Sequence, residues 1–576
     1  VGGWRPGTPW MAFTAIITPP QVTERVVGIG HVEDLAHEGK VPPPSPRRGA
    51  SPRSLVLMAP QRPGPQLTDG ILSTDFYQLT MAQLYFRAGL ADRPARFEHF
   101  FRSYPDYGRH QAGYCVAAGL APFVRWMNSV RPTGADLDAL AEHRSTSGGP
   151  LFGDDFLGWF ADLDFSALTV DAVPEGRVVH PNTPITVVEG PLAAAQLLES
   201  PLLNRLNFPT LIATKASRVT EAALGRPVLE FGMRRAAERG ADAATRAALV
   251  GGANSTSNTA AGYAAGIDPS GTHAHSMIQA YLALGEGERA AFQAYSDVYP
   301  DDCLLLVDTV DTLNSGVPNA IAVFEQLRRR GHRPVGIRLD SGDLAYLAIQ
   351  AARQLDEAGF EDTTIVLSSR LDELTMWQIT HQIQEEASQE GLRASAVIDR
   401  LVFGVGSRLT TSDGSPSLDG VYKLVALQRD GAWQPAIKRS DTPEKVLNPG
   451  KKRLWRVTDR RGMATADVLS TVDETLKPGR DVELHHHSRP DVGRVLSATD
   501  WEQAEELTVR VVDGGRIVSD GGQEALDDLD EIGARRVADV AALGPGVRRL
   551  VNPHTYHVSI TDAVWKLKQS LLADLG

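Results

Sequence analysis

Short apolar runs recur through the middle of the chain. CLLLVD (303–308), VGIRL (335–339), TIVLS (364–368) and RLVFGV (400–405) start 32, 29 and 36 residues apart. Apolar residues at three- and four-residue spacing fill the intervals, at 319–330, 344–358 and 372–390, and predict helices there. Strand, helix and strand repeating at this length is the βαβ unit, and its repetition requires a parallel sheet. Runs at 226–231 and near 267–274 extend the series as further strands. A barrel and a doubly wound sheet both satisfy the pattern. Upstream, Asp75 stands where a helix over 76–89 would be capped, and ARFEHFFRS (95–103) alternates like a strand. Short β-like runs occupy 165–190, and 191–224 reads as a helical region broken near its prolines. Beyond 420 the βα alternation stops. Strand-like runs return (GVYKLVAL, AWQPAIK, RLWRVT, ELTVRVV), followed by a final helix over 561–574.

Residues 1–66 lack any such periodicity. VPPPSPRRGASPRS (41–54) and APQRPGPQ (59–66) are rich in Pro, Arg and Ser, which predicts a disordered extension. A genuine tail and a reading frame begun ahead of a true start at Met58 are both open. No basic start, apolar run and cleavage site occur together, so a secretory signal is not predicted. The remainder has ordinary globular usage, 42% hydrophobic and 22% charged, which excludes a collagen or a coiled coil. A net charge of −13 argues against a nucleic-acid coat. The absence of a long apolar run argues against a membrane span. Cys115 and Cys303 are the only cysteines, too few for a disulfide framework or zinc cluster, and they fit a cytoplasmic setting. Ten lysines stand against 48 arginines, so a retained lysine is informative, and Lys215 is the only one between positions 41 and 422.

In βα architectures the carboxyl ends of the strands and the loops after them build the site. Those ends hold Asp308 and Asp311, then Arg338, Asp340, Ser341, Gly342 and Asp343, then Ser368 and Ser369, then Gly404, Gly406 and Ser407. Acids, a cation, hydroxyls and a glycine turn that can approach an anion therefore share one rim. Asp308 could serve a magnesium ion or a cap. GTHAHS (271–276) precedes an apolar helix, and its two histidines at i, i+2 on an extended segment would face opposite ways, so at most one serves the site. Their spacing fails the helical metal pattern. HHH (485–487), in a polar segment bounded by Gly and Pro, reads as a solvated loop.

Taken in order, TDFYQLTMAQ (74–83), FEHFFR (97–102), AAGL (117–120), NFPTLIATKA (207–216), EFGMRRA (230–236), GGANSTSNTAAG (251–262), GTHAHS (271–276), GIRLDSGDL (336–344), GVGSRLTTS (404–412), GVYKLV (420–425) and PGKKRLWR (449–456) closely resemble the nicotinate phosphoribosyltransferase family. The resemblance runs from about Gly70 to the C-terminus. It implies an α/β fold: an irregular (β/α) barrel over 190–419, and an α/β domain built from the flanking segments 67–189 and 420–576. The implied reaction joins nicotinate to 5-phosphoribosyl 1-diphosphate, giving nicotinate mononucleotide and diphosphate for NAD synthesis, with ATP hydrolysis coupled to it and Mg²⁺ required.

Residue by residue, the resemblance implies that His275 is phosphorylated by ATP and assigns His273 no role. Arg338 and Thr272 bind the nicotinate carboxylate, and Asp340 holds the ribose hydroxyls. Ser407 with Gly404 and Gly406 forms the 5′-phosphate site. Lys215 and Arg234 add positive charge. Phe231 and Tyr77 sandwich the pyridine, the tyrosine coming from a second subunit, so the implied unit is a homodimer with shared sites. Asn258 stands where nicotinamide-using relatives carry Asp. An Asp there would repel a carboxylate, so Asn258 favours the acid substrate. Arg370 in SSRLDE and Ser407 in GVGS depart from the usual residues, and the segment 103–114 is longer and more polar than usual. Quinolinate or nicotinamide as substrate, or a catalytically silent scaffold, are the competing readings. A second carboxylate on quinolinate would call for more cations and no phosphorylatable histidine.

Overall fold

The structure, a computed structural model, describes residues 69–489, 491–518 and 522–575. The extension expected over 1–66 lies outside them.

The fold is mixed α/β. Its first sheet is parallel, with strands ordered Ser255–Thr256, Val228–Glu230, Leu401–Val405, Thr364–Ser368, Gly336–Leu339 and Leu304–Leu306. The strands at 303–308, 335–339, 364–368 and 400–405 thus form as the spacing predicts, and helices Val317–Arg329, Leu344–Glu357 and Glu373–Glu386 connect them. Their apolar positions make the core: Leu305, Ile337, Leu339, Leu367 and Phe403 are all buried. The strand expected near 267–274 does not form. That stretch is irregular, and the edge position is taken by Ser255–Thr256, pairing with Leu229 and Glu230. Short helices at Thr259–Ala264, His275–Ala283 and Glu288–Val298 follow this edge strand in the chain. Ser255–Thr256 and Leu304–Leu306 are the end strands of this hydrogen-bonded series among the described residues, an arrangement compatible with the irregular barrel.

A second sheet is antiparallel and draws on both flanks. Pro94–Phe101 pairs with Thr186–Pro191 on one side and with Gly420–Arg429 on the other. A third sheet, from 452–496, 503–506 and 558–561, is mostly antiparallel.

Two local expectations need correction. Asp75 occupies the N-cap position of helix Phe76–Arg87, but its carboxylate accepts from the Ser200 hydroxyl (2.6 Å) rather than from the helix. The helical region is not broken at Pro209 either: helix Glu199–Ala222 continues through it. Proline cannot bond the carbonyl four residues back, that of Arg205. Gly119 lies against that carbonyl instead, so close that a Cβ there would fall 2.0 Å from the oxygen. Beyond the proline, Thr210 and Thr214 accept from the backbone N–H groups of Ala118 (3.2 Å) and Val116 (3.0 Å). Much of the NFPTLIATKA motif thus fastens the AAGL segment to the helix.

Arg456 joins the third sheet to its surroundings. Its guanidinium donates twice to Asp467 (both 2.9 Å), once to Asp539 and once to the Val178 carbonyl (both 2.8 Å). Its side chain is 4% exposed and that of Asp467 0%. Removing one partner of a buried pair leaves the other charge uncompensated, at a cost of about 3–5 kcal/mol. Arg456→Met is expected to lower unfolding free energy by about that amount in a urea titration. Arg456→Met combined with Asp467→Leu should recover most of it.

Candidate active site

The site is organised by one carboxylate. Asp308 follows the strand Leu304–Leu306, and its side chain is 1% exposed. One oxygen meets His275 Nε2 at 3.1 Å, and the other accepts from the Asp340 backbone N–H (3.0 Å) and the Ser341 hydroxyl (2.5 Å). A carboxylate oxygen accepts, so this bond is donated by the Nε2–H of His275 and leaves Nδ1 outside it. His275 opens the helix His275–Ala283 and remains 37% exposed at its side chain. His273 points elsewhere. Its Nε2 accepts from the Leu306 N–H (3.1 Å), and its ring packs near Tyr295. Burial pulls its pKa down to about 4, which keeps it neutral and structural.

Arg338 comes from the adjacent strand. Its Nε donates to Ser368 Oγ (2.9 Å), its Nη2 meets Asp340 Oδ1 (3.3 Å), and Ser368 Oγ donates to the same Asp340 oxygen (2.5 Å). The guanidinium carbon lies 5.4 Å from the centre of the Phe231 ring, within cation–π range. The Phe231 ring lies close to the Gly404 backbone: a Cβ at 404 would come within 2.5 Å of the ring, and one at 406 within 3.0 Å of the Phe231 carbonyl. Ser407, exposed, starts the single helical turn Ser407–Thr410 after this strand. Ser369 and Arg370, which follow Ser368, both have positive φ (100° and 48°). Such conformations are uncommon outside glycine and gather at functional sites.

Sequence reasoning missed Glu230. It is fully buried and accepts from the hydroxyls of Thr245 (3.0 Å), Thr256 (2.7 Å) and Thr410 (3.2 Å) and from the Gly232 N–H. It thereby sets the turn that carries Phe231. The available signal was an acid at the end of an apolar strand, a place that burial penalises unless donors surround it.

Other predicted residues are placed differently. Thr272 is half-buried, its hydroxyl 3.4 Å from the His273 carbonyl. Arg234 lies exposed on the turn Met233–Arg235 and has no ion pair among the described residues. Asn258 is fully buried, and its carboxamide is committed: Oδ1 accepts from Ala261 N–H (3.3 Å), and Nδ2 donates to Asp242 (2.8 Å) and Thr245 (3.4 Å). Lys215 is neither a surface lysine nor a free cation. Its ammonium is 1% exposed, sits 2.7 Å from Glu373 and lies over the Tyr107 ring. Glu373 also meets Arg218 and His110, so its charge is shared within a closed buried cluster. Tyr77 is half-exposed and lines a separate cavity of about 1200 Å³ beside Glu199, Arg205 and Thr411. It makes no ring contact with Phe231 among the described residues. The triple histidine is no solvated loop either. His485 stacks on Trp565 and meets Asp562 at 3.3 Å, and His487 is held neutral by burial, its pKa near 3.

An α/β frame with acids, an arginine, a histidine and a glycine turn at the ends of its parallel strands defines an enzyme site for anionic substrates. Family models for the nicotinate phosphoribosyltransferase N-terminal domain, family and C-terminal domain match residues 72–207, 227–461 and 451–568. The nicotinate phosphoribosyltransferase of Bacillus subtilis is 36% identical over 514 residues, covering 88% of this chain and 95% of that protein. One from Mycobacterium tuberculosis is 39% identical over 494 residues, covering 83% and 96%. The crystal structure of human nicotinic acid phosphoribosyltransferase superposes with a TM-score of 0.70 at 31% identity, covering 87% of this chain and 99% of that one. The chain belongs to the nicotinate phosphoribosyltransferase family.

Two substitutions test the geometry. Gly404→Ala should displace the Phe231 ring and raise KM for the pyridine at least tenfold, with the melting temperature little changed. Asn258→Asp would set two carboxylates at the 2.8 Å now bridged by a donated hydrogen. It should cost about 1–3 kcal/mol in denaturant unfolding, and Asp242→Asn in the same chain should restore the bond and the stability.

Proposed function

We propose that this chain joins nicotinate to 5-phosphoribosyl 1-diphosphate, releasing nicotinate mononucleotide and diphosphate, with ATP hydrolysis coupled through phosphorylation of His275. Family membership supports the overall reaction. The observation that carries the coupling is the buried Asp308, which bonds His275 on one oxygen and the Asp340–Ser341 backbone and hydroxyl on the other.

The transfer breaks the C1–oxygen bond, the electron pair leaving with diphosphate, while the pyridine nitrogen lone pair forms the new bond to C1. Catalysis of such a step is chiefly positioning and stabilisation of separating charge. Arg338 is held at Nε and Nη2, which leaves Nη1 to meet the nicotinate carboxylate, with Thr272 beside it, while Phe231 offers the ring a face. Asp340 accepts ribose hydroxyls. Ser407 and the Gly404–Gly406 turn receive the 5′-phosphate, and Arg234, exposed and without an ion partner among the described residues, faces the polyphosphate. In the coupling step Nδ1 of His275 attacks the γ-phosphorus of ATP and ADP departs. Water later cleaves the N–P bond to give inorganic phosphate. Asp308 suits this because the imidazolium-like charge that builds on the ring is met by a carboxylate already bonded to Nε2.

Magnesium usually keeps several waters and binds through one or two carboxylates plus substrate phosphates. Asp340 fits such a role with its Oδ2, since Oδ1 alone takes the bonds from Ser368 and Arg338, whereas both Asp308 oxygens are committed. When bound, the ion neutralises the departing diphosphate.

Tyr77, half-exposed and apart from Phe231, is read as serving the site of a second copy, which makes a homodimer the working unit. The division into 67–189 with 420–576 around 190–419 is supported by the pairing of Pro94–Phe101 with Gly420–Arg429. A cytoplasmic setting fits two free, buried cysteines. No helix among the described residues is long and apolar enough to cross a membrane.

Diphosphate release should be measured with nicotinate, nicotinamide and quinolinate, with and without ATP. Turnover is expected with nicotinate and to rise with ATP. His275→Ala should retain the basal rate and lose the ATP stimulation. Arg338→Gln should raise KM for nicotinate about tenfold or more, the loss of a charge-assisted bond worth about 1.5–3 kcal/mol. Equal turnover of nicotinamide, or full ATP stimulation in His275→Ala, would overturn the reading.

A further inference from the structure

A second cavity, of about 530 Å³, opens between the segments 484–494 and 554–559 of the third sheet. It shares no lining residue with the Asp308–Arg338 site. Its charge is inverted relative to the rest of the protein. Among the described residues that line it none is Asp or Glu, although the chain has 71 acids against 58 Lys and Arg. Arg494 contributes a guanidinium whose Nε and Nη2 are buried without an acceptor among the described residues. His554 and His557 stand beside it with ring centres 6.3 Å apart, and Arg489 joins them in the wall.

Counter-charge is missing here for a structural reason. The carboxylates closest in the bonding network are already spent: Asp562 on His485 and Lys566, Asp467 on Arg456 and Tyr556. Tyr556 is thereby fixed, its ring stacked 3.8 Å from that of His180, and it forms a rigid wall. Burial, and after it the neighbouring Arg494 and His554, depress the pKa of His557, so the cations disfavour one another. Burying a donor without an acceptor is penalised, and an anion would relieve both penalties at once. The volume falls in the range of small-molecule sites.

We propose that this cavity is an oligophosphate site, distinct from the catalytic centre, in which Arg494 clamps the anion and His554 and His557 bond its outer oxygens. Diphosphate itself and a nucleoside polyphosphate share that chemistry. Equilibrium dialysis of the full chain with sodium diphosphate and, separately, with ATP distinguishes them, since the tighter of the two names the source. Wild type is expected to take up one more equivalent of anion per chain than Arg494→Gln, which keeps its rate with nicotinate. His557→Gln should weaken the same extra equivalent about tenfold. It carries the test by itself if Arg494→Gln fails to fold, because its side chain makes no hydrogen bond within the described chain. Equal stoichiometry and affinity in wild type and the folded variants would overturn the proposal.

Discussion

The geometry of the candidate site rim depends on keeping one buried carboxylate supplied with donors. An unpaired charge as deeply enclosed as Asp308 would be strongly disfavoured, so both its oxygens must find donors. The three donors come from two separate stretches of chain: the imidazole of His275 from one, the backbone of Asp340 and the hydroxyl of Ser341 from the other. Satisfying Asp308 therefore fixes the loop after one strand against the loop after its neighbour, and against a helix start arriving from outside the parallel series. The groups on this rim are aligned as a consequence of electrostatic necessity, without a separate device to hold them. The same bond selects the tautomer of His275, so position and reactivity have one cause.

A second tier of buried polar groups supports this rim. Glu230, enclosed by three hydroxyls and a backbone N–H, shapes the turn that bears Phe231, and Gly404 removes the side chain that would otherwise fill the ring's place. Asn258 belongs to the same tier. Its carboxamide bridges Asp242, Thr245 and the start of its own helix, so its amide identity is demanded by its neighbours whatever its influence on substrate choice. Ser368 couples Arg338 to Asp340 by bonding both, which makes the cation and the acid one rigid unit. Arginine suits this position because its planar fork can be held at two nitrogens and still present a third, a division an ammonium cannot make.

What could be read from the sequence follows from the range of the forces involved. The strands bearing Arg338, Ser368 and Gly404 were legible because periodicity and βα spacing are local, and Asp308, Asp340 and Ser407 followed from where strands end. The strand expected near 267–274 failed because a short run with apolar residues cannot reveal that the edge of the sheet was already taken by Ser255–Thr256. The helix through Pro209 was hidden because its tolerance depends on Gly119, far off in the chain, packing at the freed carbonyl. Lys215 was misjudged for the same reason. Its fate is set by Glu373, Arg218, His110 and Tyr107, which only the tertiary fold assembles. Local signals thus reached the frame and the rim, whereas the pairing of buried charges was beyond them.

That pairing also explains how a protein of net charge −13 can handle polyphosphates. Buried cations such as Lys215 and Arg456 are each matched to an enclosed carboxylate and contribute little field outside. Exposed acids dominate at long range, but in salt their influence fades over about a Debye length, roughly 8–10 Å. Within a cleft the local balance decides, because low-dielectric walls concentrate the field of the few charges that face inward. Arg338 is partly compensated by Asp340, and Arg234 has no ion pair among the described residues. Cations at the ends of the parallel strands and on the turns beside them thus remain available where an anionic substrate can reach them.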